Sequence, residues 1–222
     1  MKKIIITIVS VMSILILNSL EPSAITITTK GDVTLSHAKT TSKLKKADLL
    51  YNEDELTSSD KSFAAFKFID GSGIIKLFPN SNIVINTKKE SGKLSKTTFI
   101  SKGSLLSKVN KHFGIFDVET PTTVASIKGT QFYLKYLDSG ETILYTIEGS
   151  ILFSNKNNGK NAYVHKGEVG RSDGTGDIVV KKYSSRDLRN GVNDQLLKEN
   201  KTLNIQIRNA TGDTKQISIE LE

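Results

Sequence analysis

The sequence predicts an all-β fold, a short β-solenoid or a twisted β-sandwich, with one helix and a β-hairpin at its C-terminal end. Three observations predict it. Apolar and polar residues alternate in short runs along most of the 222 residues. A step of charged residue, glycine and small or polar residue recurs between those runs. Apolar residues at helical spacing follow only Ser184-Ser185. The copies of the step are Lys30-Gly31-Asp32, Asp70-Gly71-Ser72, Lys102-Gly103-Ser104, Lys128-Gly129-Thr130, Glu148-Gly149-Ser150 and Lys166-Gly167-Glu168. Glycine reaches positive φ without a Cβ clash, so a chain that turns at the same structural place in successive layers tends to put it there. Gly31, Gly71, Gly103, Gly129, Gly149 and Gly167, with Pro121 and Thr130, are the expected structural turns. Their unequal spacing argues against identical rungs and for loops of different length inserted between them.

Ile25 to Leu35 alternates around Gly31 as the opening β layer. Lys39 to Ser62 is polar, with Leu44, Leu49, Leu50 and Leu56 as its few anchors, and reads as a long ordered loop. Strand character is strong in Phe63 to Ile69, Gly73 to Phe78 and Ile83 to Asn86, each bounded by turn residues. Lys88 to Ser95 reads as a polar turn before Thr97 to Ile100 and Leu105 to Val109. Gly114 to Thr120 ends at Pro121, which cannot donate a ladder hydrogen bond and belongs at a strand end or edge. Thr122 to Ile127, Gln131 to Leu137 and Thr142 to Ile147 follow, the last two joined by the hairpin turn Asp138-Ser139-Gly140. Ile151 to Ser154, Ala162 to Val164 and Ile178 to Tyr183 supply further short strands. Leu188, Val192, Leu196 and Leu197 then predict a helix over about Arg186 to Glu199, capped by serine. Leu203 to Arg208 and Gln216 to Leu221 alternate strictly as a terminal hairpin, with Leu203, Ile205, Ile207, Ile217, Ile219 and Leu221 on one face that needs a surface to cover.

Residues 1–24 read as an export signal: Lys2 and Lys3, the apolar run Ile4 to Leu17, then Asn18, Glu21, Pro22, Ser23 and Ala24. The run is short of the roughly 20 apolar residues a transmembrane helix needs, although an uncleaved anchor stays open because Pro22 stands where a small residue is expected. Three parts follow: residues 1–24 as signal or anchor, 25–183 as the β domain, and 184–222 as a helix-plus-hairpin cap. The body is then extracytoplasmic, periplasmic or secreted.

The formal charge is +8, and it falls to +7 once two lysines and one glutamate leave with the signal. Lys43, Lys45, Lys46, Lys88, Lys89, Lys93 and Lys96 could draw the body toward anionic lipid or wall polymer. Nucleic acid is not an expected partner, because the basic stretches lack interleaved aromatics. No cysteine is present, so disulfides, thiolate metal sites and a lipid anchor on cysteine are excluded. His37, His112 and His165 have no ligand-like spacing. Gly170 to Asp177 is a weak candidate calcium loop, with Asp173 and Asp177 as hard ligands, and a plain glycine-rich turn is its ordinary reading. Ser72, Ser104 and Ser150 follow glycines without a nucleophile elbow, and Glu53, Asp54 and Glu55 sit in a polar run that reads as a solvated loop. No enzyme, cofactor or metal is expected.

Two segments carry a resemblance. Phe63 to Ile85, F-A-A-F-K-F-I-D-G-S-G-I-I-K-L-F-P-N-S-N-I-V-I, resembles the core of the FecR-type domain. Phe116 to Leu134, F-D-V-E-T-P-T-T-V-A-S-I-K-G-T-Q-F-Y-L, is similar to that family's most recognisable segment, a strand ending in Thr-Pro and then a basic-Gly-Thr step. Gly103, Gly149 and Gly167 fit the glycine turns around them, and the likeness spans roughly Ile25 to Val180. The resemblance implies an extracytoplasmic β-rich module that binds an envelope protein partner or ligand and is not an enzyme. In the best-known members it relays occupancy of an outer-membrane receptor to a sigma factor. Here Met1 to Lys3 run directly into the apolar segment, so direct control of a sigma factor is not expected. The alternative is a structural envelope protein held by its basic surface. The terminal hairpin and Lys39 to Ser62 are the expected partner contacts, or else caps on the open ends of the β core.

Overall fold

The computed structural model describes residues 21–90, 93–111, 114–184, 186–187, 203–208 and 214–219. The strands are β1 (Ala24–Lys30), β2 (Val33–His37), β3 (Thr40–Lys43), β4 (Leu49–Leu50), β5 (Asp54–Ser58), β6 (Phe63–Phe68), β7 (Gly73–Leu77), β8 (Ser81–Glu90) and β9 (Lys93–Val109). They continue as β10 (Phe116–Glu119), β11 (Thr123–Ile127), β12 (Gln131–Tyr136), β13 (Thr142–Glu148), β14 (Ser150–Asn155), β15 (Asn161–His165), β16 (Glu168–Ser172) and β17 (Val179–Lys182), with β18 (Leu203–Arg208) and β19 (Thr214–Ile219) as a separate hairpin.

The ladders form two layers. One runs β4-β1-β6-β7-β9-β12-β13-β16-β17 and the other β3-β2-β5-β8-β9-β10-β11-β14-β15. Strand β9 belongs to both: its first ten residues pair with β8, and Gly103 to Val109 pair with β7 and β12. The pair β9–β10 is parallel and the other described pairs are antiparallel. The all-β fold is as the alternation predicts.

The main core lies between the layers. Phe66, Phe68, Ile75, Leu105, Phe132 and Leu134 from one meet Leu56, Ile83, Ile100, Phe116, Val118 and Phe153 from the other, all below 2% exposed. Period-two alternation sends every second residue of a strand to one face, so these positions are fixed by pairing register. Phe68 stands edge-on to both Phe66 and Phe116, at centroid distances of 5.9 and 5.4 Å.

Crossings between layers account for the glycine step. Gly31, Gly129, Gly149 and Gly167 sit between strands of different layers, and Gly103 sits inside β9 where that strand changes layer. Gly71 alone turns a hairpin within one layer, and all six have φ between 76° and 86° except Gly129 at 68°. Pro121 lies exposed in the tight β10–β11 turn, and Thr130 is buried at the entry to β12.

Three expectations are corrected. Lys39 to Ser62 is not a loop, since it holds β3, β4 and β5; the inward position of β5 taken by Asp54 hid its alternation. Asp54 is 1% exposed, not solvated: it accepts hydrogen bonds from the Tyr51 backbone N–H (2.8 Å) and is bonded to His37 Nδ1 (2.5 Å). Lys88 to Ser95 is mostly ladder, because β8 runs to Glu90 and β9 begins at Lys93.

Arg186 and Asp187 are the described part of the predicted helix, with Ser184 Oγ accepting from the Asp187 N–H. Its other residues, 188–199, lie outside the described residues, so the C-terminal helix is not supported; of the signal read at 1–24, residues 1–20 also lie outside them, while Ser23 and Ala24 are buried and Ala24 opens β1. No helix among the described residues is long and apolar enough to cross a membrane.

Candidate binding surface

A column of serines ties the layer crossings together. Ser58, Ser81 and Ser104 stand 23 residues apart; Ser81 N–H donates to Ser58 Oγ (3.1 Å), and Ser104 N–H donates to Ser81 Oγ (2.8 Å). Ser81 Oγ donates in turn to the Ser104 carbonyl (3.2 Å). Backbone groups at a buried corner cannot reach water, and hydroxyls satisfy them. The equal spacing of the three serines was the sequence signal for this column.

The Thr-Pro segment is built the same way. Thr120 Oγ1 accepts from the backbone N–H groups of Thr122 (3.2 Å) and Thr123 (2.9 Å), closing the β10–β11 turn. Thr120, Thr123 and Thr142 hydroxyls stand 2.8 to 3.1 Å apart, buried between strands. Lys156 Nζ clamps the turn from outside, donating to the Thr120 carbonyl (2.8 Å) and Glu119 (2.6 Å). The three hydroxyls thus satisfy one another.

A metal loop does not emerge. Asp173 Oδ1 accepts from the N–H groups of Thr175 (2.9 Å) and Gly176 (3.0 Å), capping its own turn, and these bonds hold its carboxyl below the usual range. Asp177 pairs with Lys160. Among the described residues no three of His, Cys, Asp or Glu cluster as metal ligands. Millimolar calcium is expected to leave the melting temperature within about 1 °C, because an ion that does not bind the native state adds no stability; a larger rise would restore the loop as a ligand set.

The lysines split. Lys43, Lys45 and Lys46 are exposed, whereas Lys96 is 1% exposed and bonded to Asp70 at 2.6 Å. Lys96 therefore leaves the expected basic surface. Burial disfavours ionised Asp70, but hydrogen bonds from Lys96 and Ser72 outweigh it and hold the carboxyl below its ordinary range.

Two surfaces stand out for binding. The first is the outer face of the β9-β12-β13 layer, where Ile27, Phe63, Phe78, Leu106, Tyr133, Ile143 and Tyr145 form a second apolar cluster, opposite the main core. Its rings form a chain, Phe63–Phe78–Tyr133–Tyr145–Tyr183, with centroids 5.2 to 6.1 Å apart. Burial pushes the Tyr133 phenol above its ordinary range, against a hydrogen bond with Ser104. At the chain's end Tyr145, Val169, Arg171, Lys181 and Tyr183 border an open depression of about 370 Å³.

The second surface is the edge strands. Leu49, Tyr163 and Val179, three of the exposed large apolar residues, lie on β4, β15 and β17. An open strand edge invites pairing unless it is short or charged. β4 has two residues, β3 carries Lys43, and β17 carries Lys181 and Lys182. β15, Asn161 to His165, is longer than β4 and carries no lysine; among the described strands its ladder is with β14 alone, and the Glu168 carboxylate accepts from the His165 N–H at its end (2.9 Å). Tyr163 is 62% exposed there and stacks on His165 at 6.1 Å.

Residues 54–152 match the family model for FecR protein. Two crystal structures of a candidate anti-sigma factor from Parabacteroides distasonis, at 2.50 and 1.65 Å, are similar in fold, with TM-scores of 0.51 and 0.50 at 14% and 16% identity. Each match covers 60% of this chain and 62% of the other, so the chain spans less than two thirds of their length. None of the curated proteins matches the sequence. The matched residues run from β5 into β14 and take in the serine column, the Thr-Pro turn and four of the glycine steps. Residues 54–152 are thus similar to a FecR domain, and the β body continues in strands on both sides of that segment.

Proposed function

We propose that the chain is an exported, non-catalytic binding or sensing module of a signalling system, and that it engages an envelope protein partner by strand addition at β15. The edge of β15, paired among the described strands with β14 alone and with Tyr163 exposed on it, carries this reading, since main-chain pairing along an edge gives affinity and alternate side chains give specificity. The FecR match supports a regulatory module, and the apolar run at Ile4 to Leu17 supports export.

A photo-crosslinking residue in place of Tyr163 is expected to capture one envelope protein in producing cells. Tyr163→Lys is expected to abolish sedimentation of the purified body with isolated envelopes, and that sedimentation resists salt. Exposed Lys43, Lys45 and Lys46 favour the second reading, attachment to wall polymer or anionic lipid. In that case binding disappears at moderate salt, where charges beyond about 8 Å are screened, and Tyr163→Lys changes nothing.

A further inference from the structure

The aromatic outer face is shielded although it lies opposite the core: Tyr133 is 2% exposed, Leu106 5% and Tyr145 7%. We infer that its occupant is the chain's own terminal hairpin, β18–β19, seated with its apolar side on the Phe78–Tyr133–Tyr145 rings.

Three observations lead there. The hairpin register pairs Leu203 with Ile219 and Ile205 with Ile217. Directly paired residues share a face, so these four and Ile207 make one apolar side. A two-stranded hairpin is marginal by itself in water, and such a side needs a partner surface. Second, the chain leaves the β body on this face: Tyr183 is edge-on to Tyr145 at 5.2 Å, and its hydroxyl donates to the Thr146 carbonyl. Third, the reach suffices. From β17 to β6 the face spans six strand spacings, about 29 Å, and the residues between Tyr183 and Leu203 cover that even where compact. The hairpin is thereby a built-in tenant of the aromatic face, and any partner for that face must displace it.

The absence of cysteine makes the test clean. In the full chain, Ile143→Cys places a thiol on the face, at a position 8% exposed, and Ile205→Cys places one on the hairpin. A short bismaleimide is expected to join this pair within one chain, and not the control pair Ile205→Cys with Tyr163→Cys. Maleimide labelling of Ile143→Cys alone is expected to quicken about ten-fold or more when Ile205→Asp and Ile217→Asp are added, since each 1.4 kcal/mol of lost docking is a factor of ten. The circular-dichroism melt of the body stays unchanged. Equal labelling with and without the aspartates overturns the inference. Labelling that quickens only on removal of residues 1–23 assigns the face to the N-terminal apolar run, and a link between two chains assigns it to a second copy; either outcome overturns it too. If Ile143→Cys fails to fold, Val169→Cys on the same face takes its place. None of these readouts depends on an envelope partner, so they stand or fall apart from the role of β15.

Discussion

Gly103→Val is expected to lower stability by about 4 kcal/mol, the sum of left-handed backbone strain and overpacking. A domain of this size then melts on the order of 10 °C lower. Gly103 has φ +86°, and a Cβ there would stand 2.5 Å from Ser81 Cα and 2.6 Å from the Asn80 carbonyl oxygen. Those are backbone atoms of the neighbouring crossing, so neither can swing aside. The same place holds the Ser81–Ser104 hydrogen bonds, which the displacement breaks. Gly167→Ala separates the two causes: its φ is +82° but nothing lies within 4 Å of the added carbon, so it is expected to cost only the strain, about 1 kcal/mol. Gly129→Val falls between, because its nearest neighbour is the flexible Lys111 side chain. Chemical denaturation of the three variants checks the order. A Gly103→Val protein that melts with the parent would show that the crossing is not held rigidly.

Asp70→Asn is expected to cost about 3 to 5 kcal/mol, because it strands a buried ammonium without its counter-charge. Lys96 is 1% exposed, donates to the Leu94 carbonyl at 2.9 Å and lies 5.8 Å from the Phe68 ring centre. Adding Lys96→Met to Asp70→Asn is expected to restore most of the loss, since an apolar side chain of similar length fits the same slot. The pair also sets an acid limit. Asp70 has its carboxyl pKa lowered in the folded state, so its contribution is fully present above the unfolded carboxylate value of about 4 and is lost as pH falls through the lower folded value. An acid titration of stability is expected to show this decline in the parent and not in the double variant. Identical acid profiles would remove Asp70 from that role.

The strands were legible because alternation survives wherever one face meets the core, as in Phe66 and Phe68 or Phe132 and Leu134. It fails where the inward position is polar. Asp54 at the head of β5 looked like part of a solvated acidic run, and nothing local announces that His37 waits 17 residues away to satisfy it. Lys96 failed likewise: among so many lysines, the one that is buried is identified by its partner Asp70 in the distant β6–β7 turn. The glycine step was visible as a recurrence, but that it marks passage between layers depends on which strands pair. The β15 edge was invisible for the same reason, since an edge is defined by a missing neighbour and a single sequence does not state strand order.

One strand has the last consequence. Because β9 contributes its first half to one layer and its second half to the other, the layers share a continuous backbone through the middle of both ladders. Opening either one frays a part of that one strand, so the two layers are expected to exchange their amide protons as a single cooperative unit. A perturbation at β15 is then borne by the whole body, not by its near layer alone.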